Sequence, residues 1–139
     1  MDIESSIAAL REALLADERV SAAILFGSAA TGLARPASDL DVALVACSKP
    51  DAAAIEADEP GLAGSLTRAA GREVQLVLLD GIEPVLGRQA FLGGRTLFDR
   101  DPARTAKVLE RILIDYFDGE YHRRMRAEAL EHRRESRRG

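Results

Sequence analysis

The sequence predicts an α/β protein of the α+β type, in which helices cover a small mixed β-sheet. Apolar runs typical of buried strands occupy residues 20–26, 40–47 and 73–79. Helical spacing of apolar residues comes before the first run and after the last. The first two runs are separated by about a dozen residues, which fits a mixed sheet better than a regularly alternating doubly wound fold.

The N-terminal half begins with an amphipathic helix over residues 3–17, because apolar side chains recur there at spacings of four, three and four. The Gly-, Ser- and Pro-containing residues 27–38 predict a loop, or a loop with one helical turn. An Ala-rich helix is expected to open at Pro50-Asp51. Glu59-Pro60-Gly61 should interrupt it as a turn before it resumes at Leu62, and Gly71 should end it.

The C-terminal half should contain a short helix over 83–92, an edge strand at 96–98 and a long final helix. Asp101-Pro102 combines an N-cap residue with proline at the first helical position. An apolar stripe follows, made of Val108, Leu109, Ile112, Leu113, Tyr116 and Phe117. We expect most of it to cover the sheet, with docking of a partner as the alternative. The domain should span residues 1–122, and 123–139 should be a basic helix end or tail.

Composition restricts the class of protein. The 139 residues suit one domain, and 47% of them are hydrophobic. No apolar run approaches the roughly 20 residues that cross a bilayer, and the polar start MDIESS differs from a signal peptide. We therefore expect a cytoplasmic protein without a membrane partner. The single cysteine, Cys47, lies in an apolar run and is expected to be buried and inert.

The charges are unevenly distributed. Residues 1–102 carry 9 basic and 16 acidic side chains, whereas residues 103–139 carry 10 basic and 7 acidic ones. A duplex-DNA binder usually has a broad basic face, so an acidic body with a basic tail argues against nucleic acid as a partner. The tail itself is interpreted as a solvated helix end, with an acidic protein or RNA as the less favoured contact.

Two aspartates stand at the start of the second predicted strand. Side chains alternate across a strand, so Asp39 and Asp41 should project from the same face. Two close carboxylates repel each other unless a cation lies between them, and Mg²⁺ commonly binds one or two carboxylates together with phosphate oxygens and water. The pair is therefore a candidate Mg²⁺ site.

A glycine–serine pair follows the first predicted strand. Gly27 permits a tight turn and close approach of a phosphate, while Ser28 offers a hydroxyl and a backbone N–H. Thr31 and Gly32 continue a loop along which a triphosphate could lie. Either pair alone is weak evidence for a binding site, since Asp-x-Asp often occurs in exposed loops. Their order around two strands favours a Mg-triphosphate site over solvated loop residues.

Three other polar residues are interpreted as solvated. Arg35, in the loop, is more simply a surface charge than a phosphate ligand. His122 and His132 lack metal-ligand spacing with another His or Cys. Tyr116 is expected to be core or interface rather than an acceptor of AMP.

The spacing Gly-Ser-x10-Asp-x-Asp resembles that of the DNA polymerase beta-like nucleotidyltransferase superfamily, and the short chain resembles its minimal nucleotidyltransferase (MNT) group. The matching residues are Gly27, Ser28, Gly32, Ser38, Asp39 and Asp41. The resemblance continues through residues 72–101. It implies an antitoxin of a HEPN/MNT toxin–antitoxin pair that transfers AMP from ATP to a tyrosine of its HEPN-domain toxin. Larger relatives carry a substrate domain, for which this chain has no room.

One position departs from the family. The resemblance implies a third carboxylate on the third strand, where this sequence has Gln75. A neutral amide cannot act as a base, and Glu73 is a poor substitute one strand repeat away. Two hypotheses follow: a nucleotidyltransferase that modifies its toxin, and a catalytically weakened antitoxin that neutralises the toxin by binding. An RNA-modifying transferase would need a basic groove that residues 1–102 do not suggest.

Overall fold

A computed structural model describes residues 2–32 and 38–138. Four strands form one sheet: β1 (Val20–Phe26), β2 (Leu40–Ala46), β3 (Val74–Leu78) and β4 (Arg95–Asp99). The helices are α1 (Ile3–Leu15), α2 (Ser28–Thr31), α3 (Lys49–Ala57), α4 (Glu59–Ala70), α5 (Pro84–Phe91) and α6 (Pro102–Arg138). The predicted α/β class, with a small mixed sheet covered by helices, is confirmed.

The strand order in the sheet is β3-β2-β1-β4. β1 pairs antiparallel with β2 and with β4, whereas β2 and β3 are parallel. β1 ends at Phe26, directly before Gly27, and Phe26 pairs with Asp41 near the start of β2. The start of β3 therefore lies on one side of the start of β2, and the end of β1 lies on the other. This topology brings three separate segments of the chain to one end of the sheet.

Two apolar layers enclose the sheet. On one face, α1, α3 and α4 cover it through buried residues that include Leu10, Leu14, Ile55 and Leu66. On the other face, α5 and α6 pack through Ala90 and Ile112 onto a second set of residues, which are Ala22, Ile24, Ala43 and Val45 in the strands and Leu79 directly after β3. Alternate residues of β2 thus enter different cores, as strand geometry requires.

Helix ends follow the capping signals of the sequence. Asp2 accepts a hydrogen bond from the backbone N–H of Ser5 (2.7 Å), and Ser48 accepts one from Asp51 (3.2 Å). Asp101 accepts one from the backbone N–H of Arg104 (3.3 Å), which confirms the predicted start of the last helix. Gly71 ends α4 in the left-handed conformation.

The prediction of a turn at Glu59-Pro60-Gly61 was wrong. Those residues form the first turn of α4, and the chain bends one residue earlier, at Asp58. Proline is well tolerated in the first helical turn, where its missing N–H would have no intrahelical partner. The same proline therefore starts the second helix instead of separating the two.

The prediction of a buried Cys47 was also wrong, because its side chain is exposed. β2 ends at Ala46, and Cys47 leaves the sheet with its backbone N–H bonded to the Arg19 carbonyl (2.9 Å). Its thiol donates to the Glu18 carbonyl (3.3 Å). Partial desolvation and the Asp51 carboxylate raise the pKa of this thiol, so the thiolate that would act as a nucleophile is disfavoured.

The last helix continues well past the domain body. α6 has 37 residues, and every residue from Tyr121 to Arg137 is exposed. Of the predicted stripe, Ile112 is buried and Val108 and Leu109 pack against the sheet, but Phe117 is 58% exposed. Half of the stripe, the part nearer the start of α6, therefore covers the sheet, whereas the prediction gave this role to most of it. In the described ranges 2–32 and 38–138, no helix has the length and hydropathy of a membrane span.

Candidate functional site

The two predicted carboxylates lie at the start of β2. Asp41 is the second residue of the strand, opposite Phe26 of β1 and opposite Gln75 of β3 in the sheet register. Asp39 precedes the strand and is exposed, whereas Asp41 is half-buried. Because Ala43 and Val45 share the strand parity of Asp41 and pack against α5 and α6, the Asp41 side chain leaves the sheet on that face.

The charges of the two aspartates interact. Burial, and secondarily the negative charge of Asp39, raise the pKa of Asp41 above its usual range. The folded chain therefore holds one partly desolvated carboxylate next to another without a basic side chain bonded to either in the described part of the chain. Such a pair suits a divalent cation, which would remove the repulsion.

Gly27 provides the close approach that the sequence predicted. Its φ of +71° lies in the left-handed region, where side chains other than glycine are strained. A Cβ at this position would also lie 2.5 Å from Oδ2 of Asp41. Glycine is thus required twice, for the turn between β1 and α2 and for the space over the carboxylate. The backbone passes directly over the candidate metal ligand.

Ser28, Thr31 and Gly32 form a single exposed helical turn after Gly27. Ser28 begins α2, so its backbone N–H has no partner within that helix. The hydroxyl of Thr31 donates to the Ser28 carbonyl (3.1 Å), and Gly32 closes the turn with φ +77°. Because Gly27 lies close to Asp41, Ser28, the next residue, is also near this aspartate. The Thr31 hydroxyl instead stabilises the turn through its hydrogen bond to the Ser28 carbonyl.

Ser38 is held by an arginine that the sequence analysis did not identify. Arg72, which precedes β3, donates from Nη1 to the Ser38 carbonyl (3.2 Å) and from Nε to the Ser6 hydroxyl (3.2 Å). It therefore links α1 and β3 to the segment just before Asp39. The partners lie 34 and 66 residues away in sequence, so no local pattern could have indicated this role.

Gln75 contacts one of the two aspartates, Asp39. Its Nε2 donates a hydrogen bond to Oδ2 of Asp39 at 3.3 Å. Across the described segments, no group of three or more His, Cys, Asp and Glu side chains is arranged to hold a metal. Glu73 therefore does not complete a three-carboxylate cluster with Asp39 and Asp41. The position of the expected third carboxylate carries a hydrogen-bond donor instead.

Four other polar residues were predicted to lie outside the site, and the structure describes three of them. Tyr116 is half-buried under the Arg88 guanidinium, 4.7 Å from the ring centroid, as expected for a core or interface residue. His122 and His132 are exposed. Arg35 and its loop neighbours lie outside the described residues.

A separate groove lies at the opposite end of the sheet. It has a volume of about 710 Å³, and its lining includes Cys47, Asp80, Arg104 and Lys107. Asp41 is near the start of β2 and Cys47 directly follows its last residue, Ala46, so most of the strand separates the two. None of the predicted site residues lines this groove, so the groove is separate from the aspartate site.

Solved structures resemble the fold over almost its full length. A chain of a toxin–antitoxin complex with AMP-PNP matches with a TM-score of 0.65 and 21% identity, covering 94% of this chain and 98% of that one. A chain of the toxin–antitoxin MntA-HepT matches with a TM-score of 0.66 and 20% identity, covering 91% and 97%. A third, from the tri-AMPylated Shewanella oneidensis HEPN toxin in complex with MNT antitoxin, has a TM-score of 0.65 and 18% identity, covering 92% and 98%.

Family membership rests on the sequence itself. No curated protein matches the chain significantly. The family model described as polymerase beta, nucleotidyltransferase matches residues 9–103, which is more than half of the chain. The matched range contains Gly27, Ser28, both site aspartates and Gln75. The chain therefore belongs to the polymerase beta nucleotidyltransferase family.

Proposed function

We propose that the chain is a cytoplasmic antitoxin that transfers a nucleoside monophosphate, AMP from ATP, to a tyrosine hydroxyl of a cognate HEPN-domain toxin. The observation that carries the proposal is the convergence of Gly27, Asp39 and Asp41 at one end of the sheet. Transfer of another nucleotide is compatible with the same site. Family membership supports nucleotidyl transfer, and the toxin–antitoxin neighbours support the choice of acceptor.

The residues present fit a magnesium ion. Asp39 and Asp41 would hold it, because both are carboxylates and burial makes the charge of Asp41 unfavourable without a counter-ion. The missing side chain of Gly27 lets the backbone lie close to Oδ2 of Asp41, which would bring a triphosphate bound at the following turn close to the ion. Bound there, Mg²⁺ would stabilise the charge on the α-phosphoryl group and on the departing pyrophosphate.

The turn that follows Gly27 would hold the triphosphate. The backbone N–H and hydroxyl of Ser28 are exposed beside the aspartates and suit phosphate oxygens. Gly32 and Thr31 extend that surface, and the Arg72–Ser38 hydrogen bond keeps the following segment close to it. These groups would fix the β- and γ-phosphates while leaving the α-phosphate beside Asp39 and Asp41.

In the transfer, the acceptor oxygen forms a bond to the α-phosphorus and the bond to the pyrophosphate oxygen breaks. The acceptor hydroxyl must also lose its proton. Gln75 is neutral and donates to Asp39, so it does not take up that proton. We therefore expect slow turnover, with the proton passing to water.

The test is transfer of label from α-labelled ATP to the purified HEPN toxin in the presence of Mg²⁺. The proposal predicts a labelled toxin whose modified residue is tyrosine, and no label with Asp39→Asn/Asp41→Asn. Thermal denaturation should show that the double variant is folded. Equal labelling by the double variant, or no labelling by the natural chain, would refute the transferase proposal.

A second candidate function is favoured by Gln75 alone. An antitoxin without the third carboxylate could neutralise its toxin by covering it, with little or no transfer. Growth rescue in cells that express the toxin separates the two functions. Rescue that persists with Asp39→Asn/Asp41→Asn selects binding, whereas loss of rescue by a variant that still binds the toxin selects catalysis.

A further inference from the structure

Helix α6 carries a second apolar stripe that the domain does not cover. Ile114, Phe117, Tyr121 and Met125 are 46%, 58%, 60% and 46% exposed. Their spacings of three, four and four residues place them along one side of the helix. Nine residues make about two and a half helical turns, so Tyr121 points away from the side on which Ile112 is buried. One helix thus has two apolar sides, and the sheet covers only one of them.

The distal helix also lacks support from the rest of the domain. All side chains from Tyr121 to Arg137 are exposed. An isolated helix of about 15 residues is only marginally stable in water, because tertiary packing supplies most helical stability. Exposed apolar stripes of this kind are typical of protein–protein contacts. A surface that covers the stripe would stabilise this part of α6.

The stripe and its charges are self-complementary in one orientation. Phe117 and Met125 lie four residues before and after Tyr121. If two copies pack antiparallel about Tyr121, Phe117 of each therefore meets Met125 of the other, a favourable sulfur–aromatic contact. Residues 110–120, net −3, then lie against residues 122–132, net +1. Parallel packing would instead place the two acidic segments against each other.

We propose that the chain forms a two-fold symmetric dimer through this stripe, with the two α6 helices antiparallel and Tyr121 near the axis. Two-fold contacts of one surface with itself are the most common form of homo-oligomer. Neither the nucleotide site nor a toxin takes part in this contact, so the dimer stands or fails independently of the transfer reaction.

Sedimentation equilibrium of the purified chain over a dilution series is the first test. Tyr121→Glu should raise the dimer dissociation constant at least tenfold. Leu130→Glu is the matched control, because Leu130 is 56% exposed on the same helix and lies half a turn away from Tyr121. A chain that is monomeric throughout the series, or equal effects of the two variants, would overturn the proposal. Far-UV circular dichroism verifies that both variants keep their helix.

Disulfide cross-linking tests the orientation. In a Cys47→Ala background, Tyr121→Cys should form a disulfide dimer under oxidation, because a disulfide needs Cα atoms about 4.4–6.8 Å apart. Phe117→Cys should not, since antiparallel packing separates the two copies of that residue by about 12 Å along the helix. Cross-linking of Phe117→Cys as efficient as that of Tyr121→Cys, or no cross-linking of Tyr121→Cys, would contradict the antiparallel arrangement.

Discussion

The amide of Gln75 donates a hydrogen bond to the carboxylate of Asp39, 3.3 Å away on the neighbouring segment of chain. Gln75 also lies opposite Asp41 in the parallel register of β2 and β3. Gln75 therefore bonds to one aspartate and pairs in register with the other, although its side chain is exposed on the edge strand β3.

Replacing Gln75 by aspartate should make the fold depend on a divalent cation. Three carboxylates would then share the start of β2, and their repulsion should lower the melting temperature in EDTA. Mn²⁺ should restore the melting temperature of Gln75→Asp by more than it changes that of the natural chain. Thermal denaturation with and without Mn²⁺ measures both effects. Gln75→Asn keeps the neutral amide and is the control, and an equal response of the two variants would count against this account.

Gly27→Ala should weaken nucleotide binding. The new Cβ would lie 2.5 Å from Oδ2 of Asp41, so the carboxylate or the turn must move. We expect affinity for a Mg-bound, non-hydrolysable ATP analogue to fall at least tenfold, or about 1.4 kcal/mol, by isothermal titration calorimetry.

Gly81→Ala is the control for backbone strain. Gly81 has φ +74°, close to the +71° of Gly27, but a Cβ at Gly81 would meet no atom within 4 Å beyond its chain neighbours. Both variants should lose about 1–2 kcal/mol of stability from the left-handed backbone. Only Gly27→Ala should lose affinity for the Mg-bound ATP analogue. Comparable affinities for the two variants would show that close approach at Gly27 is unimportant.

Asp41→Asn should raise the melting temperature at neutral pH without metal. Burial and the charge of Asp39 raise the pKa of Asp41, so the ionised carboxylate destabilises the folded chain above that pKa. As the pH falls through the folded pKa, Asp41 takes up a proton and the advantage of asparagine should disappear. Thermal denaturation in EDTA as a function of pH measures the difference between variant and natural chain.

Asp17→Asn should show the opposite sign. The hydrogen bond from the Arg19 side chain lowers the pKa of Asp17, so ionised Asp17 stabilises the fold above its unfolded pKa. That stability is lost as the pH falls through the lower, folded pKa. Asparagine should therefore reduce the melting temperature at neutral pH and have little effect in strong acid. If both variants shift stability in the same direction at neutral pH, the assignment for Asp41 is wrong.

Arg104→Ala should destabilise the end of the sheet opposite the site. Arg104 donates to the Ala46 carbonyl and forms an ion pair with Asp80 (3.0 Å), whose carboxylate also accepts from the Ala46 N–H (2.8 Å). Its removal leaves a part-buried carboxylate without its cation, at a cost of about 1–3 kcal/mol in the free energy of unfolding. Urea denaturation measures this cost.

Arg124→Ala provides the comparison for an exposed pair. Arg124 bonds to Glu120 on the surface of α6, and such pairs typically contribute about 0.3–0.5 kcal/mol. The loss should therefore be several times smaller than for Arg104→Ala. Losses of similar size would mean that the Arg104 contacts do not hold β2 to α6.

Patterns local in sequence predicted most of the fold. The apolar run before Gly27 is a buried strand, and the Asp101-Pro102 start of α6 is capped as its residues indicate. The errors came where one pattern fits two outcomes. Pro60 suits the first turn of a helix as well as a loop, and Cys47 follows an apolar run but lies one residue beyond the end of the strand.

The candidate site was predictable to the extent that its residues are close in sequence. Gly27, Asp39 and Asp41 come from adjacent segments around one antiparallel pair, so their spacing indicated their proximity. The contacts of Gln75 and Arg72 depend on the parallel pairing of β3 with β2 and on packing against α1. Such long-range pairing has no local signature in the sequence.

The central claim is that Asp39 and Asp41 hold a Mg-bound triphosphate beside Gly27. Isothermal titration calorimetry of the chain with a non-hydrolysable ATP analogue tests it directly, in Mg²⁺ and in EDTA. We predict binding that requires Mg²⁺ and that weakens at least a hundredfold in Asp39→Asn/Asp41→Asn, about 2.7 kcal/mol. Binding that is equally tight in EDTA, or unchanged in the double variant, would contradict the claim.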